Sequence, residues 1–237
     1  MRKYENTKNG CACGCPSKHI KVMLRMLSKA EITELIRLLE ECYPAPVCAL
    51  EYQKDYELLF AARLSAQCTD ARVNTVTPVL FRKYPDLESL AAADVVELES
   101  IIHSCGFFRT KARDIAAAAA MLISEFGGRV PGEMEDLLRI PGVGRKTANL
   151  MLGDIHKKPA VVVDTHCIRL SNRIGLVSTK DPEKIETILR EALPPDKSSD
   201  FCHRLVLHGR AVCTARNPVC GDCCAAGLCR GASANSL

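Results

Sequence analysis

Leu137-Leu-Arg-Ile-Pro-Gly-Val-Gly-Arg-Lys-Thr-Ala148 is the stretch that decides the fold. It reads as two helices, 133–139 and 145 to about 153, joined by a hairpin. Gly142 and Gly144 permit positive φ and let an anion come close to the main chain. The amides of Val143, Gly144 and Arg145 stand at the start of the second helix. Free N–H groups and the helix dipole make that end attractive to a phosphate. Such a site holds a phosphate backbone without reading a base. A bare tight turn is the plainer alternative, and the two cations after Pro-Gly-Val-Gly weigh against it.

Outward from the hairpin, most segments read as helices. Ser28 and Glu31 form a capping-box pattern, and Ile32, Leu35, Ile36 and Leu39 repeat on one face. Pro44 and Pro46 cannot continue that helix. Helices are expected over 56–66, 71–83, 87–93 and 94–104, the last stopped by Gly106. Residues 110–126 are alanine-rich and end at Gly127-Gly128. Residues 160–163 could form a strand, but no partner strand is evident. They read as a buried extended entry into a helix over 165–173. Helices over 182–192 and 201–212 follow, then a cysteine-rich loop and a polar tail from Gly231. There is no internal repeat, and the fold class expected is all-α.

The chain has 237 residues, enough for one large domain or two small ones. Hydrophobic residues make up 47%, so a folded globule is expected rather than disorder. The net charge of +4 permits nucleic-acid binding without requiring it. Trp is absent and aromatics are only 5%, which argues against a broad base-stacking surface. The first ten residues are polar, unlike a signal peptide. The apolar run 115–123 is too short to span a bilayer. A soluble intracellular protein with no membrane partner is expected, and there the 14 cysteines point to metal more than to disulfides.

Cys213, Cys220, Cys223 and Cys229 are spaced C-x6-C-x2-C-x5-C. Thiolates bind iron–sulfur clusters and zinc alike. Structural zinc sites usually show two close pairs. One close pair with single flanking cysteines favours a cubane cluster. Cys224 adjoins Cys223 and could compete with it. Cys11, Cys13 and Cys15 suggest either a second metal site or a mobile reduced tail. The tail is preferred, because ligands so close cannot easily wrap one ion. Cys42, Cys48, Cys68, Cys105, Cys167 and Cys202 read as buried small hydrophobes.

Lys146 lies in the first turn of the helix after the hairpin. Most such lysines are solvated cations. A nucleophilic one must be unprotonated, which burial and a helix start favour and a nearby carboxylate opposes. Sequence leaves that balance open. Asp164 precedes a helix, so an N-cap is its simplest role. A capped, ionised carboxylate could also stabilise positive charge developing on a sugar.

These residues resemble the endonuclease III family of bifunctional DNA glycosylase and abasic-site lyases, within the helix-hairpin-helix superfamily. The resemblance runs from about Ile32 to Arg230. It is carried by Leu64-Ser-Ala-Gln-Cys-Thr-Asp70, the hairpin to Lys146, Val163-Asp-Thr-His166, Leu207-His-Gly-Arg210 and the four cysteines. It implies two all-α lobes with DNA in the cleft between them. One is a six-helix barrel with the hairpin, over 48–158. The other is an iron–sulfur cluster domain made of 27–47 and 159–237, with 1–26 a disordered extension. It implies Lys146 as Schiff-base nucleophile, Asp164 as catalytic carboxylate, and Cys213, Cys220, Cys223 and Cys229 as ligands of a [4Fe–4S] cluster. Gly142, Val143, Gly144 and Arg145 would grip DNA. Gln67 would fill the gap left by a flipped base, although alone it reads as a polar helix residue. Phe107 falls where the family carries an apolar wedge, often leucine, or could be core. His166 follows the family motif and is assigned no proton transfer. The loop 214–219 holds one basic residue, Arg216, so a small DNA contribution is expected from it. The implied partner is duplex DNA with damaged pyrimidines or abasic sites, met by a monomer in the cytoplasm. Alternatives are an adenine-mismatch glycosylase, whose relatives usually lack the hairpin lysine, and a non-catalytic DNA-binding cluster protein.

Overall fold

The computed structural model describes residues 26–234. The extension at 1–25, with Cys11, Cys13 and Cys15, lies outside the described residues. The expected all-α class holds. Twelve α-helices and three short 3-10 turns are formed among the described residues.

Helix α1 (Lys29–Cys42) begins at the expected capping box. The Glu31 amide donates to Ser28 Oγ at 3.3 Å, and the Ser28 amide donates to Glu31 Oε2 at 2.7 Å. Its apolar stripe, Ile32, Leu35, Ile36 and Leu39, is buried. Helices α2 (Asp55–Leu64), α3 (Asp70–Lys83), α4 (Leu87–Ala91), α5 (Val95–Ile102) and α6 (Phe108–Phe126) follow. The alanine-rich α6 packs against α2, α4 and α5. It ends where Gly127 takes φ +59, a left-handed stop that a side chain would disfavour. The hairpin helices are α7 (Met134–Arg139) and α8 (Arg145–Asp154), and α8 packs on α2. The segment 160–163 forms no strand or helix, and Ala160, Val161 and Val162 are buried. It leads into α9 (Thr165–Ile174) as expected. Then come α10 (Pro182–Ala192), α11 (Ser198–Ala211) and α12 (Arg230–Ala234). Helix α11 packs against α1, α8 and α9. The buried apolar side chains form one continuous cluster.

Three local expectations are corrected. Helix α2 stops at Leu64, so Gln67 is not a helix residue. It sits in a turn with φ +54 and is exposed. Residues 230–234 form a short helix instead of a tail, with α12 packed on α9. Cys42 is exposed and Cys48 and Cys68 are half-buried, leaving Cys105, Cys167 and Cys202 as the buried hydrophobes of that group.

Candidate active site and cysteine cavity

The hairpin is seated by charge as well as by turn chemistry. Gly142 takes φ +77. A Cβ there would stand 2.6 Å from Arg63 Nε and 2.9 Å from Asp114 Cβ. Those two side chains are paired beneath it, Arg63 donating to Asp114 Oδ2 at 2.8 and 2.6 Å. Only glycine lets the turn settle onto that pair. Gly144 differs from expectation. Its φ is −102 with an extended ψ, and nothing lies near its absent Cβ. It is the N-cap of α8 without a side-chain cap. The Val143 amide closes the turn onto the Ile140 carbonyl at 3.1 Å. The amides from Gly144 onward are therefore the ones directed outward at the helix start. The Arg145 guanidinium has a protein partner of its own. It donates in a fork to the buried Glu186 carboxylate at 2.8 and 2.9 Å, tying the hairpin to α10.

Lys146 is exposed and lines two adjoining cavities. One is a recess of about 160 Å³ walled by Leu50, Ala62, Leu150, Val162 and Cys202, with Asp70, His203 and Arg210 as polar members. The other is a groove of about 740 Å³ that includes Gln67, Thr165 and His166. Asp164 and Lys146 belong to the walls of both. The structure thus brings the expected nucleophile and carboxylate together at the mouth of a small pocket. Asp164 is also the N-cap that the local sequence suggests, with Oδ1 accepting from the Cys167 amide at 2.7 Å. That bond fixes the carboxylate's orientation on α9.

His166 faces Arg169 Nη2 through Nδ1 at 3.2 Å. Burial pushes its pKa down, which suits a neutral ring accepting from the guanidinium. Phe107 is 67% exposed with φ +47 at the start of α6, so it is not core. Gln67 and Phe107 both project from left-handed backbone, a conformation uncommon for side-chain-bearing residues.

Two pairings at the site escaped the sequence analysis. His203 Nε2 meets Asp154 Oδ1 at 2.8 Å, and both are nearly buried. Asp70 pairs with Arg210. A charged residue beside an apolar helix face was the available signal, but their partners lie far along the chain.

Cys213, Cys220, Cys223 and Cys229 all line one cavity of about 380 Å³. Among the described residues no three His, Cys, Asp or Glu groups converge closely enough to hold a metal ion. A cavity walled by four thiols suits an inorganic group bound through sulfur. Donors are aimed at the sulfurs: Arg173 Nη1 lies 3.5 Å from Cys213 Sγ, and His208 Nε2 lies 3.3 Å from Cys223 Sγ. His208 is buried and its pKa is lowered by that burial. A neutral ring can give Nε2–H to the sulfur while Nδ1 accepts from Tyr43 Oη at 3.1 Å. Cys224 is not on the cavity wall. Burial, with the neighbouring Cys42 thiol, pushes its pKa up to about 12. Arg169 joins this region to the active site, donating to the Gly209 and Cys213 carbonyls at 3.0 Å each.

Comparison with known proteins places this geometry. Residues 60–195 match the model of the HhH-GPD superfamily base excision DNA repair protein. Endonuclease III of Synechocystis sp. is 48% identical over 216 residues, covering 90% of this chain and 99% of that protein. Endonuclease III of Bacillus subtilis is 39% identical over 206 residues, covering 86% and 94%. The solved structure of a trapped endonuclease III–DNA covalent intermediate superposes with a TM-score of 0.84 at 39% identity, over 90% of this chain and 100% of that one. With its Pro-Gly-Val-Gly hairpin, its lysine and carboxylate on one cavity and this extent of identity, the chain belongs to the endonuclease III family of the HhH-GPD superfamily of base excision DNA repair proteins.

Proposed function

We propose that the chain binds duplex DNA at damaged pyrimidines, excises the base and cuts the strand at the abasic site through a lysine imine. The carrying observation is that Lys146 and Asp164 share the walls of both the small recess and the open groove. The sugar carbon is out of reach inside the base stack, so the nucleotide is flipped into the recess. The unprotonated Lys146 amine attacks C1′. The base leaves with the electron pair of the glycosidic bond and is protonated. The Asp164 carboxylate, held by its cap bond, stabilises positive charge growing on the sugar. Ring opening gives an iminium on Lys146, which makes the C2′ proton acidic. Loss of that proton expels the 3′ phosphate by β-elimination, and water then releases the enzyme from the imine.

The outward amides at Gly144 and Arg145 would hold a backbone phosphate, with Gly142 and Val143 shaping the turn. Gln67 and Phe107 would enter the duplex where the nucleotide leaves it. Cys213, Cys220, Cys223 and Cys229 would hold a [4Fe–4S] cluster. When bound, such a cluster would cross-link the loop of 213–229 through those four thiolates. The chain's own groups then fix that loop, Arg173 through the Thr214 and Ala215 carbonyls at 2.6 and 2.7 Å. A division into a lobe of 48–158 and a second of 27–47 plus 159–237 is supported by the packing of α11 on α1 and α9 and of α12 on α9.

Incubation with duplexes bearing thymine glycol, dihydrouracil, an abasic site or an adenine mismatch tests the reading. Strand cleavage at the first three is expected. Cleavage confined to the mismatch would favour the mismatch glycosylase, and an intact abasic strand would favour a non-catalytic module.

A further inference from the structure

Lys111 is wholly buried in α6, yet among the described residues it has no carboxylate partner. Its ammonium donates instead to three main-chain carbonyls, those of Leu64, Ala66 and Cys105, each at 2.8 Å. Three donors meet three acceptors, so the charge is fully hydrogen-bonded. Burial pushes its pKa down. A methionine would fill the same volume without desolvating a charge, so core packing alone does not account for a lysine here.

The three carbonyls explain the choice. Leu64 is the last residue of α2, and Ala66 immediately precedes Gln67. Cys105 ends the turn that leads through Gly106 to Phe107. The Lys111 amide also donates to the Phe107 carbonyl at 3.1 Å. One residue therefore holds both loops whose tips, Gln67 and Phe107, stand in left-handed backbone at φ +54 and +47. Such strain persists only where surrounding structure over-determines it. The Cys68 and Cys105 side chains also interact between the two loops.

We propose that Lys111 is a positioning residue, whose buried ammonium clips the Gln67 and Phe107 loops at the fixed spacing needed for both tips to enter one duplex together. This rests on the reading that those two side chains enter the duplex. The clip acts on opening of the stack and not on the imine chemistry. A single-stranded abasic oligonucleotide has no stack to open, so it separates the two.

The experiment compares wild type, Lys111→Met, Lys111→Arg, Gln67→Ala and Phe107→Ala on an abasic site in duplex and in single-stranded DNA. Circular dichroism reports the fold. Lys111→Met is expected to lower duplex kcat/KM on the order of 100-fold, the scale of a misplacement of about 1 Å, while single-strand cleavage keeps its wild-type rate. A 2-aminopurine placed opposite the abasic site should lose its binding-induced fluorescence change. Lys111→Arg keeps charge and donors but lengthens the reach. It is expected to fold and to show the same selective loss to a smaller degree, which carries the test if the methionine variant does not fold. An equal fall on both substrates would mean a merely structural role and overturn the proposal. So would a wild-type ratio of duplex to single-strand cleavage in both Lys111 variants. If Gln67→Ala and Phe107→Ala instead leave duplex cleavage intact, the wedge reading fails, whatever Lys111 does.

Discussion

Arg210 donates to the Asp70 carboxylate, tying the end of α11 to the start of α3 beside the cavity that Lys146 and Asp164 share. Two sequence motifs that lie far apart along the chain, Leu64 to Asp70 and Leu207 to Arg210, are thereby closed into one wall. The pair is partly solvated, with side-chain exposures of 45% and 27%. Asp70→Asn should therefore cost at most about 1 kcal/mol of stability. Its effect should fall on the reaction, lowering kcat/KM on an abasic duplex on the order of ten-fold, or about 1.4 kcal/mol. Thermal melts and steady-state cleavage on one preparation check both halves. A large drop in Tm with unchanged turnover would contradict this division.

Gly142→Ala should destabilise the protein and weaken DNA binding together. The new Cβ meets an Arg63 side chain that Asp114 holds in place, and φ +77 itself costs a non-glycine residue about 1–3 kcal/mol. Denaturant unfolding and a binding isotherm at fixed salt test this. Gly144→Ala, with open space and an ordinary φ, should unfold at nearly the wild-type midpoint. Equal loss in both variants would argue against the packing explanation.

The N-terminal cap of α1 makes a pH prediction. The Ser28 amide, then its hydroxyl, then Arg230 hold the Glu31 carboxyl at about 2, below its ordinary 4.5. A depressed acid stabilises the fold while it is ionised. Its contribution is present above about pH 4.5 and is lost as pH falls toward 2. Glu31→Gln should flatten the fall in Tm across that window. Ser28→Ala should cost about 1 kcal/mol at neutral pH. A wild-type acid slope in Glu31→Gln would show that the cap is not formed.

What local sequence carries, it carried well. Ser28 with Glu31, Asp164 as a cap, Gly127 as a helix stop and the hairpin all depend on residues within one turn of one another. Gln67 shows the limit. Its neighbours 56–66 read as helix, but the chain leaves α2 at Leu64 and is caught by Lys111, far downstream. Arg145 was legible as a cation beside a phosphate site, and only tertiary packing brings the buried Glu186 against it. His203 and Asp154 carry no motif, and their meeting follows from the approach of α11 to α8.

The cysteine cavity predicts a pattern of iron loss. Cys213→Ala and Cys223→Ala should lose the brown absorbance of the purified protein, because each removes a thiol from the cavity wall. Cys224→Ala should keep it, since Cys224 stands off the wall against Cys42. Iron analysis alongside visible spectra checks all three. Full iron in Cys213→Ala, or none in Cys224→Ala, would contradict the ligand assignment.

The central claim is that one amine, Lys146, bonds to deoxyribose. Its most direct measurement is borohydride reduction of the protein on an abasic duplex, followed by peptide mass spectrometry of the adduct. The sugar fragment should be found on Lys146, with no adduct formed by Lys146→Ala. A fragment on another side chain, or trapping undiminished in Lys146→Ala, would contradict the account.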